Sequence, residues 1–402
     1  MSTRYFFVEA IDVLMLRGNR SFGDAGQHGE ALVPPWPSLF AGAFRSAMLA
    51  GDARRLAEFV AVGSGKFDSE EQRSQRMCSL LGADLFETLG TPQRPGRFRI
   101  TWASLGQSAG RTGDAAASPA LPLPADLVAQ DEGSRSSLLA LQPAALPAGL
   151  RGSARLPMTA LWRTAKQVKP AAGHWLDGVG LTAHLQGRAP SATVRTGALY
   201  GRETRLGIAL DPASRTASDG ALYTTEAIAL QDGAGFLVGI DGAAGLADHG
   251  LLRLGGDGRA ARWRSAQFKP LAAPAVAQGG RFRLLLTTPG IFSNGWLPEG
   301  VTLAPDNNYR LRGDNFSARL ACAAVARHEV VSGWDLAQWA PKTAQRVASA
   351  GSVYWFDRFE GDAGKLAAWV AGGLWPDNAR MQPDHAQRRA EGFNNALLGN
   401  WP

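Results

Sequence analysis

The sequence predicts an α+β protein built in two halves, and three observations carry that reading. A β-rich opening segment is followed by a polar loop and then an amphipathic helix; short apolar strands recur through the middle of the chain; and a strand–helix pair lies near its end. No fixed-period repeat organises the sequence. At roughly 150 residues per domain, 402 residues make about two. The hydrophobic fraction of 45% suffices for real cores, while 48 glycines and 23 prolines against 19% charged residues describe a loop-rich chain rather than a helical bundle.

In chain order, residues 4–16 read as a buried first strand, and a glycine-punctuated polar loop runs from Arg17 to Pro35. Ser38 has the chemistry of an N-cap for a helix carrying Leu39, Phe40, Ala43, Phe44, Ala47 and Met48, closed by Gly51. Residues 105–155 are rich in Gly, Ala, Ser and Pro with weak periodicity, which predicts a long surface insertion or linker. Strands follow at 204–210, 235–240, 251–254 and 281–288, then a strand at 352–359 and a helix at 364–375. The two halves are expected to meet near the Pro/Ala stretch at 270–277.

The composition excludes several classes. Cys78 and Cys322 cannot staple a chain of this length. No apolar run approaches the roughly 18 residues of a spanning helix, and Glu9 and Asp12 interrupt what would be a signal peptide's apolar stretch. A soluble, cytoplasmic protein without a membrane partner is expected.

The formal charge is +7, and its placement is uneven. Ten basic residues lie between Arg135 and Arg205, opposed only by Asp177 and Glu203, so this segment carries +8. Such a field suits a polyanion, and the interleaved Trp162, Trp175 and Tyr200 suit base stacking. The alternatives are a solvated surface whose acids lie elsewhere in space, and aromatics that belong to the core.

Two loops offer backbone N–H groups. In Leu254–Arg264, Gly255, Gly256 and Gly258 allow close approach and positive φ, so the loop is either a phosphate nest flanked by Arg259, Arg262 and Arg264 or a simple hairpin turn. The Ser38 helix start presents free N–H groups and a positive dipole end, as most helices do, with Arg17 and Arg20 nearby in sequence. Catalytic constellations are poor. The six histidines show no metal-ligand spacing, and His28, in a glycine-rich loop, is the one candidate general acid.

Taken in order, the motifs resemble a known family. They are Arg17-Gly-Asn-Arg20-Ser-Phe22; Pro35-Trp-Pro37-Ser38 running on to Gly42-Ala-Phe-Arg45; Glu203-Thr-Arg205-Leu-Gly207-Ile208 with Leu222-Tyr223; the Gly255-Gly256 loop; Thr288-Pro289 through Gly295-Trp296-Leu-Pro298; and Gly351 to Phe356. The chain resembles the RAMP superfamily of CRISPR-associated proteins, and within it the third subunit of type III-B Cmr effector complexes. Ser21 departs from the pattern, which expects a proline there.

The resemblance implies two ferredoxin-like (RRM-like) domains, residues 1–275 with a Gly/Ala/Pro-rich and basic insertion over about 105–230, and residues 276–402. It further implies a non-catalytic subunit, without cofactor or metal, that binds the five-prime handle of the guide RNA (crRNA). Its partners would be the large polymerase-like subunit and the neighbouring RAMP backbone subunit. On this expectation the N–H groups at Gly255, Gly256, Gly258 and the Ser38 helix start hold phosphates, while Arg17, Arg20, Arg259, Lys166, Lys169, Arg195 and Arg202 neutralise others. Arg205 either contacts RNA or forms a buried ion pair with Glu203, and Trp296 stacks on a base or packs in the core. The competing reading is a metal-independent RAMP endoribonuclease that processes guide precursors with His28 as the acid.

Overall fold

The structure is a computed structural model that describes residues 3–19, 28–110, 116–132, 135–150, 152, 155–162, 169–211, 213–376, 381 and 383–402. Two antiparallel sheets dominate it. The first has eight strands, in spatial order Val194–Arg195, His174–Asp177, Ala117–Pro122, Arg99–Ser108, Ala234–Asp241, Arg4–Ala10, Ala260–Ser265 and His249–Arg253. The second has six, in the order Val301–Leu303, Tyr309–Gly313, Phe316–Ala324, Val353–Gly361, Phe282–Leu286 and Ala396–Asn400.

Period-two alternation decides what each sheet face buries. In the first strand, Phe6 and Val8 point to a core completed by Phe40 and Phe44 of helix α1 (Pro37–Leu49), where the Phe6 and Phe44 rings meet at 5.5 Å. Phe7 points the other way, into a cluster with Trp102 and Leu237 that also contains Leu285, Val353 and Trp355 of the second sheet. Leu284 and Leu286 turn back toward Leu366 and Val370 of the helix Ala363–Ala371, so both sheets are covered on both faces. A buried ionic knot ties the halves together: Asp126 accepts from His184 Nε2 (2.8 Å) and from Arg283 Nη1 (2.8 Å). Arg283 also donates to the His184 carbonyl.

Two sequence expectations are corrected. The first strand ends at Ala10, because Ile11 and Asp12 turn out to solvent before Val13–Leu16 re-enter the core. Residues 105–155 are not a plain insertion. Residues 105–108 finish a central strand, Ala117–Pro122 joins the same sheet, and Leu127–Glu132 pairs with Arg135–Ala140. Proline and glycine there mark strand ends rather than absence of strands. Helices at Ala53–Ser64 (α2), Glu70–Leu81 (α3) and Ala83–Leu89 (α4) fill the crossover after α1, capped by Asp52 and Ser69 for the first two.

Candidate nucleic-acid interface

The glycine-rich segment makes the turn between strands His249–Arg253 and Ala260–Ser265. Asp257 (φ 56°) and Gly258 (φ 63°) both lie in the left-handed region, and the Arg259 N–H closes on the Gly256 carbonyl at 3.3 Å. An Asp-Gly pair with two positive φ values is the type I′ hairpin that matches strand twist. The loop is therefore a hairpin turn, and the nest expectation is corrected at Gly256, whose N–H is held by the Met15 carbonyl at 2.8 Å. Gly255 (φ 81°) seats the turn on the same segment. A Cβ there would stand 2.6 Å from the Met15 oxygen, so only glycine fits.

Helix α1 begins two residues earlier than expected. Trp36 is its boundary residue and Pro37 its first, so Ser38 sits inside the first turn and caps nothing with its side chain. Proline is well suited to that place, since its φ is preset and its missing N–H would be unsatisfied anyway. The first-turn N–H groups consequently have no side-chain cap. Ser38, Arg17, Gly255 and Gly258 all line one open groove of about 1330 Å³, with Trp36, Leu252 and Lys342 completing its walls.

Beside the groove, Arg17 Nη2 lies 3.8 Å from Asp257, and Arg17 bridges to Ala31. The Ala31 carbonyl accepts from Arg202 (3.0 Å), whose guanidinium also bonds Glu226 at 2.5 Å. The Ala31 N–H and Arg202 overcome the effect of burial and hold the Glu226 carboxyl below its ordinary range, while Glu226 helps keep Arg202 protonated. His28 Nδ1 meets Thr224 Oγ1 at 2.9 Å, and its Nε2 lies 3.6 Å from Glu226. Arg259 is held by Asp12 at 2.7 Å.

The other expected residues stand apart from this groove. Arg195 makes a bidentate bond to Asp131 (2.9 and 2.7 Å), which lowers that carboxyl's pKa. Lys169 is exposed. Arg205 and Glu203 do pair, at 3.2 Å, but both side chains are exposed, so the buried-pair expectation is corrected: the two lie two residues apart on one open strand. Trp296 is 37% exposed and meets the Tyr309 ring edge-to-face at 6.2 Å. Trp175 and Tyr200 are buried together in the core. Arg20 and Lys166 lie outside the described residues. The basic segment's missing acids are thus partly found: Asp131 and Glu226, on either side of it in sequence, fold back onto Arg195 and Arg202.

Sequence reasoning missed Lys342 and Trp334, which reach the groove from a segment remote in sequence. Nothing local marked them. Asn19 connects that segment to the first loop by donating to the Val330 carbonyl. Among the described residues there is no cluster of three or more potential metal ligands, and no helix is long and apolar enough to cross a membrane.

The family described as CRISPR-associated protein (Cas_Cmr3) matches residues 6–401, which take in all of the elements above but the first two residues of the strand Arg4–Ala10. The chain belongs to this family. Among solved structures it is similar to a chain of the "Type III-B Cmr-beta bound to cognate target RNA" determined by cryo-EM, with 13% identity, TM-score 0.47, and coverage of 98% of this chain and 96% of that one. A second, of the same assembly "bound to cognate target RNA and AMPPnP, state 1", has 14% identity, TM-score 0.45, and coverage of 96% and 93%. No curated protein sequence matches. In this Cas_Cmr3-family chain the glycine hairpin, the α1 start and Arg17 therefore lie within the span that defines the family.

Proposed function

We propose that this Cas_Cmr3-family chain is a non-catalytic RNA-binding subunit of a type III-B CRISPR effector complex, gripping the five-prime handle of the guide RNA. It docks against the large polymerase-like subunit and the neighbouring backbone subunit. The observation that carries this reading is the convergence of Arg17, the uncapped α1 start at Ser38 and the Gly255–Gly258 hairpin on one groove. Helix N–H groups and an adjacent guanidinium are complementary to phosphate, and backbone contacts of this kind set register on a single strand.

The same reading takes both halves as ferredoxin-like (RRM-like) domains, residues 1–275 and 276–402. Shared strand order supports it. In each half the four core strands, numbered by sequence, run 2-3-1-4: Arg99–Ser108, Ala234–Asp241, Arg4–Ala10, Ala260–Ser265 in one, and Phe316–Ala324, Val353–Gly361, Phe282–Leu286, Ala396–Asn400 in the other. The first half keeps a helical crossover between strands 1 and 2, the second between strands 3 and 4. An RRM stacks bases on its sheet face. Here those faces are buried against each other through Phe7, Trp102, Leu285 and Trp355, so RNA is directed to the groove instead.

The test is binding of guide RNA by the purified chain in chelator, followed by gel analysis of the RNA. Salt-sensitive, handle-dependent binding with the RNA left intact is expected. Specific cleavage that disappears in His28→Ala would replace this reading with the endoribonuclease. Tight binding indifferent to the handle would remove the handle assignment.

A further inference from the structure

A second cavity opens off the groove along α1, and the handle-binding reading gives it no role. It encloses about 410 Å³ between α1, α2, the turn after α4 and the hairpin Trp334–Asp335/Ala340–Pro341. Leu49, Leu56, Phe59 and Leu89 supply apolar walls. Ser38, Gly42, Trp334 and Lys342 line both spaces, so the groove and the cavity are continuous.

Two features of this cavity call for a ligand. Trp334 (50% exposed) and Trp339 (75% exposed) both line it and stand at right angles with centroids 5.9 Å apart. Residues this apolar are seldom left so open without a partner. Arg45, the last residue of the motif that opens at Pro35, also lines the cavity. Its guanidinium lies over Phe98 at 5.0 Å, and its Nε and Nη2 are closed off from solvent with no hydrogen-bond partner. Burial lowers its pKa against the pull of Glu391 and Asp335. Burying those N–H groups without hydrogen bonds is costly, and an anion brought to them offsets that cost. Glu391 is already engaged by Lys342 and by Arg388 (3.1 Å). The charged lining is Arg45 and Lys342 against Glu391 and Asp335, and Arg388, bonded to Glu391 from outside the cavity, leaves the set one positive charge to set against one phosphodiester.

We infer that this cavity takes one splayed nucleotide of the bound RNA, its base against Trp334 and Trp339 and its phosphate toward Arg45 and Lys342. The inference rests on the RNA-binding reading and deepens it. Planar aromatic surface, a buried guanidinium and continuity with the groove favour a nucleotide over an acidic peptide, which would match the charge but not the paired indoles. Unstacked bases of single-stranded RNA are commonly held in this manner.

The experiment places an abasic nucleotide at each handle position of the guide RNA in turn and measures affinity for the full chain and for Trp339→Ala. Trp339 is exposed, so its removal should leave the fold intact. One abasic position is expected to weaken the unmodified chain about tenfold, and to cause no further loss in Trp339→Ala. Arg45→Met should lose affinity for the intact RNA to a similar extent, with circular dichroism checking that it folds. If every abasic penalty is the same in both proteins while RNA binding persists, the inference is overturned and the RNA-binding reading stands. Weakened capture of a partner subunit by Trp339→Ala with unchanged RNA affinity also overturns it, by assigning the cavity to a peptide. Failure of the unmodified chain to bind guide RNA at all overturns both.

Discussion

Replacing Arg17 with alanine should flatten the salt dependence of guide-RNA binding, and replacing Arg259 should leave it nearly unchanged. The two arginines flank the same hairpin, but only Arg17 lines the groove. Arg17 is 44% exposed, whereas Arg259 is 26% exposed and bonded to Asp12 at 2.7 Å. A cation already matched to a carboxylate releases few counterions when RNA arrives. On single strands each phosphate neutralised contributes about 0.7 to the slope of log K against log salt. Raising salt fourfold, from about 50 to 200 mM, therefore costs a factor of roughly 2.6 per contact. Fluorescence anisotropy with a guide RNA labelled at its three-prime end, titrated at both salts, should show Arg17→Ala losing one such factor less than the unmodified chain. Arg259→Ala should keep the full factor, even if its affinity falls because Asp12 is left facing the loop. An unchanged slope in Arg17→Ala, or equal flattening in the two variants, would refute the assignment of phosphate contact from exposure and place in the groove.

Other consequences concern the scaffold. Asp126→Asn should destabilise the protein by about 3–5 kcal/mol, because it leaves the buried Arg283 without its counter-charge; Asp126→Leu combined with Arg283→Met should restore most of that loss, both read from urea midpoints. Gly255→Ala should lower the midpoint more than Gly258→Ala. Both glycines have positive φ, worth about 1–2 kcal/mol against alanine, but only Gly255 would also drive a Cβ into the Met15 carbonyl. Burial disfavours the charge on Glu391, yet Lys342 and Arg388 outweigh it and hold the carboxyl below its ordinary 4.5. Because the folded value is the lower one, its contribution is complete above pH 4.5 and fades as pH falls through the folded value. Urea midpoints of the unmodified chain and Glu391→Gln should therefore differ most near neutrality and converge in acid.

Much of the fold could be read locally. The strand at 235–240 and the strand–helix pair at 352–375 are continuous apolar or periodic runs with clear stops, and they occur as Ala234–Asp241, Val353–Gly361 and Ala363–Ala371. Asp362 marks the start of that last helix by accepting from the Gly364 and Lys365 N–H groups. The region 105–155 misled because its strands are short and rich in Ala, Ser and Pro; the partners that make them strands, such as His174–Asp177 beside Ala117–Pro122, lie far along the chain. Local composition carries no record of a pairing made at that distance.

The candidate site divides in the same way. Sequence by itself determined the amphipathic α1 and the ordered motifs of the Cas_Cmr3 family, since helical period and short motifs involve only residues a few positions apart, while it left the glycine-rich loop open between a phosphate nest and a hairpin turn. It also located a basic excess between Arg135 and Arg205. Only the tertiary structure decided which of those charges remain open: Arg195 is matched by an acid 64 residues away and Arg202 by one 24 residues away. Only the tertiary structure, too, brought Lys342 and two exposed tryptophans against α1, next to an arginine whose desolvation no local pattern reveals. Charge and shape at a site depend on distances in space, and those are set by how the two sheets pack.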